Sequence, residues 1–323
     1  MAHNFLKKDI IEANRFLNEW KHFNSIEETL NHHLEELRNE LAFQDNVSIS
    51  GFLHSLQHDL KLGGIANRVA LDDINYMTKA LIYSARFGYL LRITGGEAFS
   101  DGYDCMHVFD LLVMLAASDS KAVNALTSRF MAPFRKGNAD TILLCNAVYM
   151  ALDKHPDPNL TLKSIARSKS TKFFLSMYRC AAAIQNADST TFVVNIKELL
   201  KGNRRQEFHS TMDKAVCIEA HAMLNLWNIR NITNTIDLSA LELPWDSEFY
   251  KFTLNRSEPH LTDFGEISKV LNHWIHFMPH EIKVDDFLSE LDESWFKKLT
   301  RRLRLTHQKE KLNLYMAAEV KRK

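Results

Sequence analysis

A chain built from β-strands must turn every 8–12 residues or so, and this one has little to turn with. Its 323 residues hold ten glycines and six prolines, about 5% where average usage gives roughly 12%. Apolar residues recur instead at steps of three and four. Leu6, Ile10, Ala13, Leu17 and Trp20 line one side of an opening helix, and Ile26, Leu30, Leu34, Leu37 and Leu41 line a second. That spacing is the signature of an amphipathic helix. Ser25 followed by Glu28 supplies a capping-box start for the second helix. A third pattern, Ile49 to Leu60, is expected to stop at Gly63-Gly64, and a fourth, about Leu71 to Ile93, at Gly95-Gly96. TTFVV (Thr190 to Val194) is the best strand candidate, but it merges into the helical spacing of Val193, Ile196, Leu199 and Leu200. With 46% apolar and 25% charged residues the chain is globular and not disordered. The fold class expected is all-α.

The middle of the chain repeats a plan. Asp104 to Phe130, Asp140 to Ser168 and Lys172 to Leu200 each read as helix, polar break, helix. The breaks are Ser118-Asp119-Ser120, the Pro156/Pro158 pair, and Asp188-Ser189 placed to cap the helix that follows. They fall roughly 35 residues apart, as in stacked helix hairpins of the tetratricopeptide or α-solenoid kind, while an irregular helical bundle is the alternative. Soft boundaries near 100 and 240 divide an N-terminal helical region (1–100), the hairpin region (101–240) and a C-terminal loop with helices (241–323). No Gly/Ser linker separates them, so one continuous domain is expected. In the last part a short helix is expected around Ile267 to Phe277 and a long one from about Val284.

The N-terminus carries charge throughout and lacks the 7–15-residue apolar core of a secretory signal. The longest apolar run, Leu111 to Ala117, is far below the ~20 residues of a membrane span. Cys105, Cys145, Cys180 and Cys217 form no C-x-x-C pair and sit among apolar neighbours, as structural free thiols do. A cytoplasmic protein without membrane contact is the expectation.

Motifs that carry chemistry are scarce. His54 and His58 stand four apart, but no glutamate follows the first as in the H-E-x-x-H hydrolase helix. His273, His276 and His280 form a second cluster, and Cys217 with His221 a third. Fifteen histidines produce such pairs by chance, so no metal, cofactor or catalytic residue is assigned. Neither a G-x-x-x-x-G-K-[ST] nor a G-x-G-x-x-G phosphate loop occurs. The formal charge is zero, with 40 basic and 40 acidic residues, which argues against nucleic acid as the main partner. Charge is nonetheless uneven: five basic against ten acidic side chains in residues 1–60, and ten against two in 296–323.

One stretch resembles a family. Lys214 to Ile229, KAVCIEAHAMLNLWNI, is followed by Asp237 to Phe249, DLSALELPWDSEF, with a Leu-Pro at Leu243-Pro244. An apolar helix, a short turn and a segment ending near Leu-Pro are similar to the immunity protein 49 family of bacterial polymorphic toxin systems. Thr190 to Arg205 resembles the helix preceding that pair, and the repeats from Tyr103 to Ser168 fit the family's helical body. The likeness spans roughly residues 80–250. It implies a non-catalytic protein that binds and neutralises a cognate toxin. A helical-repeat scaffold or regulator binding a peptide or protein is the alternative, and an enzyme or nucleic-acid binder using the weak clusters above is a third. The expected contact residues are Trp245, Asp246, Glu248 and Tyr250, which mix acids with aromatics on a connection. Trp245 and Tyr250 could equally pack the last repeat.

Overall fold

The computed structural model describes residues 5–43, 49–95, 105–207, 209–230, 236–239 and 241–255. Among them the fold is all-α: twelve α-helices, one 3-10 turn and no strand. They are α1 (Lys7–Glu19), a 3-10 turn (Lys21–Asn24), α2 (Ile26–Phe43), α3 (Ile49–Leu71), α4 (Ile74–Gly95), α5 (His107–Ala116), α6 (Ser120–Arg129), α7 (Ala139–Ala151), α8 (Pro158–Arg167), α9 (Lys172–Gln185), α10 (Ser189–Asn203), α11 (Ile218–Ile229) and α12 (Ser247–Leu254). The strand candidate TTFVV lies wholly within α10. The helices expected beyond residue 260 fall outside the described residues.

The three hairpins form where their breaks predict, as α5–α6, α7–α8 and α9–α10. Each first helix closes with the same pair of hydrogen bonds. Asp119 N–H donates to the Met114 carbonyl and Ser118 N–H to Leu115. Lys154 does so to Tyr149 and Asp153 to Met150, and Asp188 to Ala183 and Ala187 to Ile184. This is the Schellman closure, which satisfies carbonyls that the helix end would leave orphaned. It needs a left-handed residue, usually glycine, yet Ser118 (φ 53°), Asp153 (φ 62°) and Ala187 (φ 52°) occupy the position. That is how a chain so poor in glycine still turns. In two hairpins the next residue is already the following cap: Asp119 accepts from Ala122 N–H at 3.2 Å and Asp188 from Thr191 N–H at 3.0 Å. Ser25 likewise caps α2, accepting from Glu28 N–H at 3.0 Å.

Buried side chains from Phe5 to Tyr250 make one contiguous apolar cluster. Helices α5, α7 and α11 are buried on nearly every side, as expected of helices apolar all round. In an open solenoid each unit meets only its neighbours. Here α11 packs on α5 as well as on α9, so the hairpins gather around a shared core, as in the bundle alternative. Asn225 of α11 fixes that contact by donating to the Leu115 and Ala116 carbonyls at the end of α5, at 2.9 and 3.1 Å.

The expectation that Gly63-Gly64 ends a helix is overturned. α3 runs on to Leu71 with both glycines buried. A Cβ on Gly64 would stand 2.9 Å from the Ala80 Cβ and 3.4 Å from the Met77 backbone. The glycine is there because α4 lies against it, a long-range demand that mimics a local stop signal. Gly88 does the same for α5: its missing Cβ leaves room for Asp110, whose Oδ1 would otherwise be 2.7 Å away. Asp110 in turn accepts from Gln57 Nε2 at 2.8 Å and from Arg92 Nε at 2.5 Å, joining α3, α4 and α5. Replacing Gly64 with valine should cost about 1–3 kcal/mol through overpacking. Urea denaturation checks this; an unchanged midpoint would mean that α3 and α4 do not meet there.

Candidate functional site

The expected contact residues form a site, but an interior one. Three of the four are buried: Trp245 is 6% exposed, Asp246 2% and Tyr250 9%. The expected exposure is corrected for these three, because the segment is held inward by an arginine far away in sequence. Arg68 of α3, itself 1% exposed, donates from Nε to Asp246 Oδ2 at 2.6 Å and from Nη2 to Asp246 Oδ1 at 3.0 Å. Such a fork on one carboxylate is the strongest geometry open to a guanidinium. Its remaining donors reach Glu248 Oε2 at 2.8 Å and Asp72, and the Phe5 ring lies 5.4 Å from its guanidinium carbon. Glu248, about half exposed at its side chain, is the member of the expected set that meets solvent.

Asp246 does two jobs with one carboxylate. Oδ1 also accepts from Glu248 and Phe249 N–H, each at 3.1 Å, capping α12. Burial alone would raise its pKa; the Arg68 hydrogen bonds and charge outweigh that and hold it below the usual carboxylate range. The preceding residues are tied to α11, with Cys217 N–H donating to the Pro244 carbonyl at 3.0 Å. Trp245 stacks on His221 with centroids 4.3 Å apart. Tyr250 Oη accepts from Asn228 Nδ2 at 2.9 Å.

His221 is fully buried, and its Nε2 accepts from Asp246 N–H at 3.4 Å. The proton therefore sits on Nδ1, which has no hydrogen-bond partner among the described residues. Burial lowers its pKa from 6.5 to about 4; the Asp246 carboxylate opposes that and Arg68 adds to it. The Cys217 thiol donates to Glu219 Oε2 at 3.7 Å, and burial raises its pKa, with Glu219 adding to the effect. Cys217 and His221 are thus both enclosed in the core.

His54 and His58 are exposed on α3, and His273, His276, His280 and the basic stretch 296–323 lie outside the described residues. Among the described residues no group of three or more His, Cys, Asp or Glu side chains could hold a metal ion. All four cysteines are free and buried. Sequence reasoning missed one pair, Cys145 Sγ and His107 Nε2, 3.2 Å apart and buried, with His107 stacked on Phe130 at 4.4 Å. Neither a substrate nor a base in solution reaches a pair enclosed in this way.

The sequence reading also missed a cationic face. Residues 158–206 hold nine lysines and arginines against two carboxylates, a balance of +7. Lys163 and Arg167 on α8, Lys169 in the loop, Lys172 and Arg179 on α9, and Lys201 and Arg205 at the end of α10 are all exposed. Gly202 packs 3.4 Å from the Phe173 backbone, which brings the end of α10 beside the start of α9. Glu198 bonds Lys201 at 3.0 Å; that bond, with the charges of Lys201, Lys172 and Arg205, lowers its pKa. The other six exposed cations form no ion pair among the described residues.

Comparisons with known proteins leave the site to its own geometry. No family model, curated protein or solved structure matches the chain.

Two outcomes test the buried centre. Asp246→Ala removes the α12 cap and strands Arg68, and should cost about 3–5 kcal/mol in urea unfolding, whereas Glu248→Ala at the rim should stay within about 1 kcal/mol. The second concerns pH. Because the folded pKa of His221 lies below the unfolded 6.5, the unfolded chain takes up the proton first as pH falls. Its contribution is intact above pH 6.5 and is lost between there and about pH 4, which amounts to about 3 kcal/mol. Asp246 acts in the same direction at lower pH. Unfolding free energies measured at pH 7, 5.5 and 4.5 should fall in that order, and His221→Phe should flatten the upper part of the slope.

Proposed function

We propose that this chain neutralises a cognate bacterial toxin by binding it directly in the cytoplasm, without catalysis. Two kinds of support bear on the reading: the likeness of residues 80–250 to the immunity protein 49 family, and the way charge is used in the structure. The observation that carries it is this second one. The buried carboxylates Asp110, Asp119 and Asp246 are each engaged by an arginine, so the polar interior holds the fold together. A group of surface cations on rigid helices has no such internal employment. Inhibition by occlusion needs only complementarity on a firm scaffold. No helix among the described residues is long and apolar enough to cross a membrane.

The three consecutive hairpins favour a second reading, a scaffold or regulator that binds a peptide or another protein, because stacked hairpins present extended surfaces. Gene order and rescue separate the two. Under the first reading the chain, co-expressed with the product of the gene beside its own, restores growth and co-purifies in a complex of nanomolar affinity, about −12 kcal/mol. Failure of both rescue and complex formation leaves the scaffold reading in its place.

A further inference from the structure

We propose that the cationic face of α8, α9 and α10 is the docking surface, and that it receives an acidic face of the partner protein. The proposal rests on the immunity reading and adds to it the chemistry of the partner. Lys172 and Arg179 stand seven residues apart on α9, two turns along one side of the helix and about 10 Å in rise. Arg167 and Lys169 precede that row in the chain, and Arg205 follows the end of α10, which Gly202 brings beside Phe173 at the start of α9. The backbone beneath is firm: α9 and α10 bury Phe173, Met177, Phe192 and Leu199 in the common core. Fixed cations on packed helices meet carboxylates with little ordering cost, and the arginine forks match carboxylate geometry.

Three observations favour an acidic protein over a nucleic acid. The same stretch holds carboxylates: Glu198, bonded to Lys201, and the exposed Asp157, Asp188 and Glu207. A phosphate backbone running past such a patch would meet them. The aromatic beneath the row, Phe173, is buried, so it offers no base a surface on which to stack. The chain as a whole is neutral, whereas a nucleic-acid binder ordinarily carries a net positive domain.

The test uses the full chain and the product of the adjacent gene. A variant carrying Arg167→Glu, Lys169→Glu, Lys172→Glu and Arg179→Glu should fold as the parent does by circular dichroism, since all four side chains are exposed. It should bind the partner at least 100-fold more weakly. The alanine version should lose about 10-fold or more, together with the steep fall in affinity between 50 and 300 mM salt that the parent shows. A Lys7→Glu, Lys8→Glu control on α1 should bind as the parent does. If the parent binds and the four-site variants bind equally well, the docking assignment is wrong while the immunity reading stands. If the parent does not bind at all, that reading falls and the docking proposal falls with it. Two further measurements can overturn the occupant. A 20-base-pair DNA duplex held more tightly than the partner through the same four residues would replace protein with nucleic acid. Protection of Lys169 and Lys172 from acetylation in the free chain would mean that the face is already covered, with the acidic stretch Glu281 to Glu293 of the chain itself as the natural complement.

Discussion

The fold hangs on aspartates held by buried arginines. Asp246 starts α12 and is gripped by Arg68 of α3; Asp119 starts α6 and is gripped by Arg86 of α4, at 2.7 and 3.2 Å. In both cases one carboxylate accepts from the backbone of a new helix and from the guanidinium of an old one. A helix start is electropositive and so is the arginine, so each aspartate sits between two partners of opposite sign to its own. The result is directional. It fixes where the later helix begins and which way it leaves the core. A buried charge whose partner is removed costs several kcal/mol, so these pairs leave little freedom for a shifted register.

α3 and α4 are the longest elements described, and they touch closely where glycine lets them. Their arginines must reach helices that come much later in the chain, and their glycines must let neighbours approach. Gly64 admits Ala80, Gly88 admits Asp110, and the rest of the bundle packs outward from that seam. The polar contacts are long-range in sequence, with Arg68 and Asp246 separated by 178 residues. Closing such contacts brings α12 onto the core that α3 and α4 began.

Much of this was legible locally. The 3–4 spacing gave the helices, and Asp188 and the Ser118-Asp119-Ser120 break gave two hairpin turns, because caps and turns depend on residues a few positions apart. What depended on distant partners was not legible. Gly63-Gly64 looks like a stop until α4 is placed beside it. Trp245 to Tyr250 looks like an exposed acidic and aromatic loop until Arg68 is placed beneath it. One local signal did exist there: Pro-Trp-Asp-Ser-Glu-Phe is a fair helix start, and an aspartate committed to a cap is less free to greet a partner. The cationic face was present in composition over residues 158–206 and was missed by comparing only the two ends of the chain.

The left-handed helix ends have a consequence for how such a protein can change. Asp72, Ser118, Asp153 and Ala187 all hold a backbone angle that glycine would hold with less strain, at a cost of about 1 kcal/mol for a residue such as alanine. At Asp72, Ser118 and Asp153 the side chain is also engaged, by Arg68, Asn225 and Arg230. The gain is therefore open at Ala187, where glycine would offset a mildly harmful change elsewhere. That spare capacity is a route by which the surface can change while the interior stays as it is.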